Sequence, residues 1–142
     1  MVQASTLTHS LQEAGLRLTP QRLAICSLLA NTDRHPTANM IYRELRQQYP
    51  SLSLATVYNT LEALVKLGVV YALGSAGDDH EHFDADTSPH VNLACLACHQ
   101  VIDLPSQHAH ALQAEISKAS GFKLLGARVV YYGVCPACQA EG

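Results

Sequence analysis

Four cysteines form two tight pairs, and their spacing is the first feature of this chain that could do chemistry. The pairs are CLAC at 95–98 and CPAC at 135–138. Each CxxC presents two thiolates to one metal ion, and two pairs make a closed S₄ site that suits zinc and leaves no open position for a substrate. We therefore predict a structural zinc ion held by Cys95, Cys98, Cys135 and Cys138. The alternative is a redox CxxC or a disulfide, but a redox motif usually occurs singly, beside a βαβ pattern.

Histidines and aspartates form a second group that could bind a metal. They comprise His35, which lies far upstream, and a cluster made of His80, His82, Asp84, His90 and Asp103. Imidazole and carboxylate ligands without thiolate suit Fe(II), Mn(II) or Zn(II). A metal held jointly by His35 and the cluster would lock two parts of the chain in one orientation, and would therefore act as a switch. The alternative is that these residues are solvated parts of a polar linker.

Length and composition indicate the broad class of protein. A chain of 142 residues can form one ordinary domain or two small ones. We see no apolar run long enough to cross a membrane and no secretory pattern at the N-terminus, so we expect a cytoplasmic protein without membrane attachment. A reducing compartment also fits the unpaired Cys26, which an apolar helix should bury.

Charge is distributed unevenly along the chain. Residues 1–73 hold six Lys/Arg against four Asp/Glu, whereas residues 74–142 hold three against eight and also contain six of the eight histidines. The first half therefore tolerates a polyanion, and the second is rich in metal ligands. Because the whole chain is acidic, any affinity for DNA must come from a local patch.

The first half has the pattern of a helical domain. Polar residues followed by apolar spacing predict helices that start near Ser5, Thr19, Thr37 and Ser53. The helix that starts at Ser53 has a small, polar face at its beginning, which suits insertion into the DNA major groove. Its opposite face should pack in the core and consists of Leu54, Val57, Tyr58, Leu61, Leu64 and Val65.

Two strands are predicted after these helices, at Val69–Leu73 and Glu81–Phe83. Helices followed by a two-stranded wing form a winged helix-turn-helix. A helical domain without a role in DNA binding is the alternative, because a fold does not by itself fix function.

The second half alternates between apolar and polar residues in a way that indicates a sheet. Strands are predicted at Val91–Cys95, Gln100–Asp103, Phe122–Leu125 and Ala127–Tyr132, with an amphipathic helix that ends at Gly121. A sheet with one helix leaves a face or an edge uncovered, so we expect a second copy of the chain to cover it in a homodimer.

The predicted fold class is therefore α+β. It comprises a winged-helix DNA-binding domain over residues 1–83, a hinge at 84–90, and a small α/β dimerisation domain with a structural zinc site over 91–142.

These motifs together resemble the ferric uptake regulator superfamily of metal-responsive bacterial repressors, over nearly the whole chain. The residues that carry the resemblance are GLRLTPQR at 15–22, HPTA at 35–38, ATVYNTL at 55–61, HFD at 82–84, HVNL at 90–93, both CxxC pairs and YGVC at 132–135. Within the superfamily, the sequence is most similar to the peroxide-sensing branch.

The resemblance implies a regulatory Fe(II) or Mn(II) site. In the peroxide-sensing branch three histidines and two aspartates form this site, and by position they correspond to His35, Asp84, His90, Asn92 and Asp103. Asn92 replaces the third histidine. Either its amide oxygen binds the metal, or His82 or Glu81 substitutes, or the site has one ligand fewer. Ala127 lies where many members carry a histidine of a further metal site, which we therefore do not expect here.

The resemblance also implies a mechanism. Fe(II) in such a site reduces hydrogen peroxide, and the nearest imidazole, His35 or His90, is oxidised; the damaged ligand binds metal poorly and repression ends. Mn(II) would repress without sensing peroxide. Asp103, where iron-uptake sensors often carry Glu, points modestly to the peroxide branch. An iron- or zinc-responsive uptake repressor is the alternative, and a zinc-dependent hydrolase is a remote one because no general base is evident outside the ligand set.

For DNA, the resemblance places Ser53, Thr56, Tyr58 and Asn59 in the major groove and Arg17 in an A·T-rich minor groove. The expected partner is palindromic double-stranded DNA bound by a homodimer. Tyr58 also belongs to the core-facing stripe of the helix that starts at Ser53, and it cannot fill both roles completely.

Overall fold

The computed structural model describes residues 2–141, so the outer ends of the two predicted domains, Met1 and Gly142, lie outside it. Four helices come first, followed by two strands, two further strands, a long helix, a fifth strand and a short helix. In chain order these elements are α1 Ala4–Glu13, α2 Pro20–Asn31, α3 Ala38–Leu45, α4 Leu54–Lys66, β1 Tyr71–Gly74, β2 His82–Asp84, β3 Val91–Cys95, β4 Val101–Leu104, α5 Gln107–Ser120, β5 Val129–Gly133 and α6 Pro136–Glu141.

Side-chain caps set the beginnings of the helices. Thr19, Thr37 and Ser53 each accept a hydrogen bond from the backbone N–H three residues further on, and Ser106 accepts one from the N–H of His108. These bonds satisfy donors that a helix leaves unpaired in its first turn. The helix starts predicted near Thr19, Thr37 and Ser53 are therefore confirmed.

The first four helices pack around one hydrophobic core. Its fully buried members come from every helix and from the segment after α4, and include Leu7, Leu11, Ile25, Cys26, Ile41, Val57, Leu61, Leu64 and Val70. Phe83 of β2 joins the same core, so the second wing strand is anchored to the helices. Burial raises the pKa of the Cys26 thiol to about 11, which makes it a small apolar core residue rather than a reactive thiol.

Strands β1 and β2 form an antiparallel wing, and β3 to β5 form a separate sheet. The order of the second sheet is β4-β3-β5, with β3 antiparallel to β4 and parallel to β5. The wing and this sheet share a small second core made of Leu73, Ala76, Ala94 and Val101. The α+β class, with a winged helix-turn-helix before a small sheet, is confirmed.

Two features of the C-terminal half differ from the sequence prediction. Residues 122–125 do not form a strand, and the segment is largely exposed: Phe122 is 70% exposed and Leu125 is 87% exposed. The short helix α6, which carries the last cysteine, was not predicted. Its six residues begin at Pro136, directly after Cys135, and are too few to show helical periodicity.

The first wing strand also begins later than predicted. The N–H of Val69 bonds to the carbonyl of Leu64, and the N–H of Gly68 bonds to that of Val65. These bonds close the end of α4 in the manner of a Schellman motif, with Gly68 at a positive φ of 77°. Val69 therefore belongs to the helix end, and pairing starts at Tyr71.

Candidate metal centres

The four cysteines lie together at one end of the β3–β5 pair. Cys95 ends β3 and faces Gly133 of the parallel strand β5, so that Cys135 follows within two residues and Cys138 returns on α6. One Sγ from each cysteine lies within 4.8 Å of all the others, and the Sγ atoms of Cys98 and Cys135 are 3.9 Å apart. A tetrahedral site with Zn–S bonds of about 2.3 Å has S···S edges of about 3.8 Å. All four are free thiols rather than disulfides, and their arrangement fits a structural zinc ion.

Backbone amides prepare one of these thiols to be a thiolate. The N–H groups of Cys135 and Cys98 donate to Cys95 Sγ at 3.3 and 3.5 Å. These bonds lower the pKa of Cys95 to about 6. In contrast, the sulfur–sulfur contact with Cys135 raises the pKa of Cys138 to about 12. Only a cation among the sulfurs can stabilise four thiolates together, because they otherwise compete for the same few protons.

The second cluster brings together His35, Asp84, His90 and Asp103. One ligand atom from each lies within 4.8 Å of those of the other three. His35 Nε2 is 2.6 Å from Asp103 Oδ1, and His90 Nε2 is 2.7 Å from Asp84 Oδ2 and 3.1 Å from Asp103 Oδ1. His35 Nδ1 lies 3.4 Å from Asp84 Oδ1. Two imidazoles and two carboxylates in this arrangement fit a divalent regulatory metal.

Each member of this cluster comes from a different segment of the chain. His35 lies in the turn between α2 and α3, Asp84 ends β2, His90 precedes β3 and Asp103 lies on β4. His35 and Asp84 are buried, with 4% and 2% of their side chains exposed, whereas 32% of Asp103 is exposed. The site is therefore open towards solvent on the side of the second sheet and closed on the side of the helices.

Burial and mutual contact determine the electrostatics of this cluster. Burial raises the pKa of Asp84, against the lowering effect of the neighbouring His35 and His90. Burial alone would lower the pKa of His90, but the Ser88 carbonyl and the Asp84 carboxylate outweigh it and raise that pKa. Both shifts favour protonated forms, so a cation that binds here displaces protons.

Asn92 lies beside the cluster, opposite Asp103 in the β3–β4 ladder. It is buried, and its Nδ2 donates to the carbonyl of Val129 at 3.3 Å. Its Oδ1 is buried and has no hydrogen-bond partner among the described residues. A buried oxygen without a hydrogen-bond partner is energetically costly unless another group satisfies it. A metal cation in the adjoining cluster would attract the partial negative charge of this oxygen.

His82 and Glu81 do not join the cluster. Both ring nitrogens of His82 face other groups, with Nδ1 2.8 Å from the His35 carbonyl and Nε2 2.9 Å from Asp78 Oδ2. Glu81 Oε1 accepts a hydrogen bond from the N–H of Gly74. His80 is exposed and lies outside both clusters. The sequence contains no signal that separates His82 from the ligand histidines, since that depends on the turn at residue 78.

The residues expected to contact DNA are wholly or partly exposed. Arg17, Ser53 and Asn59 are exposed, and Thr56 is half-buried at the start of α4. Tyr58 is 38% exposed, so it lies at the edge of the core-facing stripe and presents part of its ring outwards.

Among the described residues, no helix has the combination of length and apolar character needed to cross a membrane.

The fold and the two clusters define a class: a winged-helix transcriptional regulator that responds to a metal. The sequence matches the model of the ferric uptake regulator family over residues 13–132, and the chain belongs to that family. Members of the family are transcriptional regulators rather than enzymes, so the chain is a metal-responsive repressor, and the zinc-dependent hydrolase alternative is not supported.

Individual members of the family are similar to this chain over more than nine tenths of its length. The peroxide-responsive repressor PerR of Staphylococcus epidermidis is 35% identical over 133 residues, covering 94% of this chain and 88% of that protein. PerR from Streptococcus pyogenes has a solved structure that concerns peroxide sensing and gene regulation by that protein. Its sequence is 34% identical, the match covers 98% of this chain and 95% of that one, and the TM-score is 0.55. The ferric uptake regulator of Pseudomonas aeruginosa, solved with manganese, is 30% identical over 91% and 97% of the two chains, with a TM-score of 0.74.

Proposed function

We propose that this chain is a DNA-binding repressor that senses peroxide through iron-catalysed oxidation of a histidine ligand. The observation that carries the proposal is the cluster of His35, Asp84, His90 and Asp103, which draws its ligands from both halves of the molecule. The similarity to the PerR proteins of S. epidermidis and S. pyogenes supports the peroxide-sensing branch. The assignment of these residues, with the oxygen of Asn92 as a fifth ligand, is part of the proposal.

The residues of the cluster have separate tasks in this proposal. Fe(II) held by these residues would supply the electron that reduces hydrogen peroxide, whereas Mn(II) in the same place would not readily do so. His35 and His90 are the oxidisable groups, and their ring centroids are 6.5 Å apart. Asp84 and Asp103 supply the negative charge that compensates a divalent cation, and the solvent-exposed side at Asp103 admits a small oxidant.

The metal controls DNA binding by fixing the two halves relative to each other. His35 belongs to the helical half and Asp103 to the second sheet, and residues 84–90 between them act as the hinge. Oxidation of either histidine weakens one side of this link. The DNA-reading surfaces then lose their defined spacing, and repression ends.

DNA recognition in this proposal uses a homodimer on an A·T-rich palindrome. The start of α4 reads the major groove through Ser53, Thr56, Tyr58 and Asn59, and Arg17 enters the minor groove.

The dimer forms through the apolar surface of the second half, where Leu104, Leu112, Ile116, Tyr131 and Tyr132 are each between 45% and 62% exposed. A surface of this kind marks an interface.

Peptide mass spectrometry tests the sensing mechanism directly. The zinc-containing protein is loaded with Fe(II) or, in a separate sample, with Mn(II), and is then treated with hydrogen peroxide. We expect one added oxygen on the peptide of His35 or His90, with iron only. His9, which is exposed on α1 outside the cluster, is an internal control and should stay unmodified. The absence of ligand oxidation with iron would reject peroxide sensing and leave a repressor that responds to a metal alone.

A gel-shift experiment tests DNA recognition. Mn(II) should promote retardation of an A·T-rich palindrome, and Arg17→Ala should weaken that binding about tenfold while affecting random DNA less. Lys118→Ala removes a positive charge from the exposed face of α5 and is the matched control. Equal losses on both DNAs would reject minor-groove reading by Arg17.

A further inference from the structure

His82 bridges the turn of the wing to the backbone of a proposed metal ligand. It lies at the start of β2, and only 3% of its side chain is exposed. Nδ1 donates to the carbonyl of His35 at 2.8 Å, and Nε2 lies 2.9 Å from Asp78 Oδ2. A buried imidazole that contacts an acceptor at each nitrogen has a fixed orientation.

Asp78 is itself held firmly in the turn between β1 and β2. Its Oδ1 accepts hydrogen bonds from the N–H groups of Ala76 and His80, at 3.2 and 3.3 Å. Burial raises its pKa, but the hydrogen bonds from His82 and from these two amides outweigh burial and lower the pKa below the ordinary value. Asp78 is therefore a stable ionised anchor for His82.

His35 is a residue whose backbone needs such a support. Its φ is +44°, in the left-handed region that residues with a side chain rarely adopt. It also precedes Pro36, which further restricts its backbone. The neighbouring backbone is tied to β2 as well, because the N–H of Phe83 donates to the carbonyl of Pro36 at 3.0 Å. An unusual backbone conformation of this kind persists only where the surroundings determine it.

We infer that His82 and Asp78 are a positioning pair, which fixes the backbone of His35 so that its imidazole faces Asp84 and Asp103. The pair binds no metal. It transmits the state of the metal site to the wing, because the same imidazole contacts both the His35 carbonyl and the wing turn. This inference rests on the proposed function, in which His35 is a regulatory ligand. In many proteins, residues that hydrogen-bond to a metal ligand fix the position of that ligand. Their loss typically lowers metal affinity about 10- to 100-fold.

Three substitutions at position 82 separate the two contacts. His82→Leu keeps the bulk in the core and removes both hydrogen bonds. His82→Asn places an amide N–H₂ close to the position of Nδ1, so it retains the bond to His35 and loses Asp78. His82→Gln places its N–H₂ close to the position of Nε2, so it retains Asp78 and loses His35. Asp78→Asn weakens the anchor of His82 and leaves both His82 and His35 unchanged in sequence.

The measurements are Mn(II) affinity by titration calorimetry and the absorption spectrum of Co(II) at the regulatory site, both in the zinc-loaded full-length chain. We expect His82→Leu and His82→Gln to lose about 10- to 100-fold in Mn(II) affinity, and to alter the Co(II) spectrum as His35 is displaced. His82→Asn should restore most of the affinity and the wild-type spectrum, and Asp78→Asn should lower affinity by a smaller factor. A merely stabilising role would leave the spectrum of the saturated, folded protein unchanged.

The outcomes distinguish this inference from the proposed function. Wild-type Mn(II) affinity and spectrum in His82→Leu would overturn the positioning role alone. Equal losses in His82→Asn and His82→Leu would show that the bond to the His35 carbonyl does not account for the effect, and would also overturn the positioning role. If the wild-type chain bound no Mn(II), or if His35→Ala bound it as tightly as wild type, the proposed function would be rejected and the inference with it.

Discussion

The thiol cluster and the histidine–aspartate cluster are built in opposite ways. The four cysteines come from two short motifs that lie at the ends of the adjacent strands β3 and β5. The four residues of the other cluster come from four segments between His35 and Asp103, and they link the helical half to the second sheet. The first cluster depends on one small sheet, whereas the second depends on how two halves of the molecule lie against each other.

This difference fits a structural role for the first cluster and the sensing role that we propose for the second. Four thiolates close the coordination sphere of zinc, so the site offers no position to a substrate or an oxidant. Imidazole and carboxylate ligands bind several first-row metals, and the exposed side at Asp103 leaves access from solvent. A site that spans two parts of the chain can also change their relative position when one ligand is lost.

Loss of a zinc ligand should have the largest effect. Cys138→Ser removes one thiolate and, because structural zinc contributes directly to folding, should abolish stoichiometric zinc binding and lower the melting temperature by more than about 10 °C. Zinc content by mass spectrometry and thermal unfolding by circular dichroism measure this. Cys26→Ala is the control, since Cys26 is buried in the helical core away from the cluster. Full zinc content in Cys138→Ser would contradict the S₄ assignment.

Loss of His35 should weaken regulation and leave the zinc site intact. We expect His35→Ala to lower Mn(II) affinity by about 100-fold or more, because it removes a proposed ligand and the link to the helical half. Titration calorimetry measures the affinity, and the zinc content should stay at the wild-type value. His9→Ala, at an exposed histidine of α1, is the matched control. A simultaneous loss of zinc would show that the two clusters are not independent.

Position 92 tests how many ligands the regulatory site has. Asn92→His should raise Mn(II) affinity about tenfold by supplying an imidazole, since a first-row metal binds nitrogen more strongly than an amide oxygen. The larger ring enters a buried site, so unfolding free energy should fall by about 1–3 kcal/mol. Calorimetry and thermal melting measure the two effects. If Asn92→Ala bound Mn(II) as tightly as wild type, the amide oxygen would not be a ligand.

The smallest effect is expected where the zinc motif touches the wing. His99 has a positive φ of 66°, and its Nδ1 donates to the carbonyl of Ala76 at 3.0 Å. His99→Gly relieves about 1–2 kcal/mol of backbone strain and loses one hydrogen bond worth about 0.5–1.5 kcal/mol. Stability measured by denaturant unfolding should therefore change by less than about 1 kcal/mol. Mn(II) affinity should be unchanged, and a clear fall would mean that the zinc motif takes part in sensing.

Local features were readable from the sequence alone. The two CxxC pairs, the capping residues Thr19, Thr37 and Ser53, and the apolar stripe of α4 each involve residues within a few positions of one another. Such patterns are fixed by backbone geometry over one or two helical turns. They predicted the helices, the wing and the grouping of the cysteines.

Tertiary structure decided which of several similar residues share a site. His35 and His90 contact the same two carboxylates, whereas His82, two residues from Asp84, turns instead to Asp78 and the His35 backbone. It also left residues 122–125 outside both sheets, and it left exposed the apolar surface that we assign to a second copy of the chain. The types and spacing of the ligands are local properties of the sequence, but the assembly of ligands from distant segments depends on packing between them, which no local pattern contains.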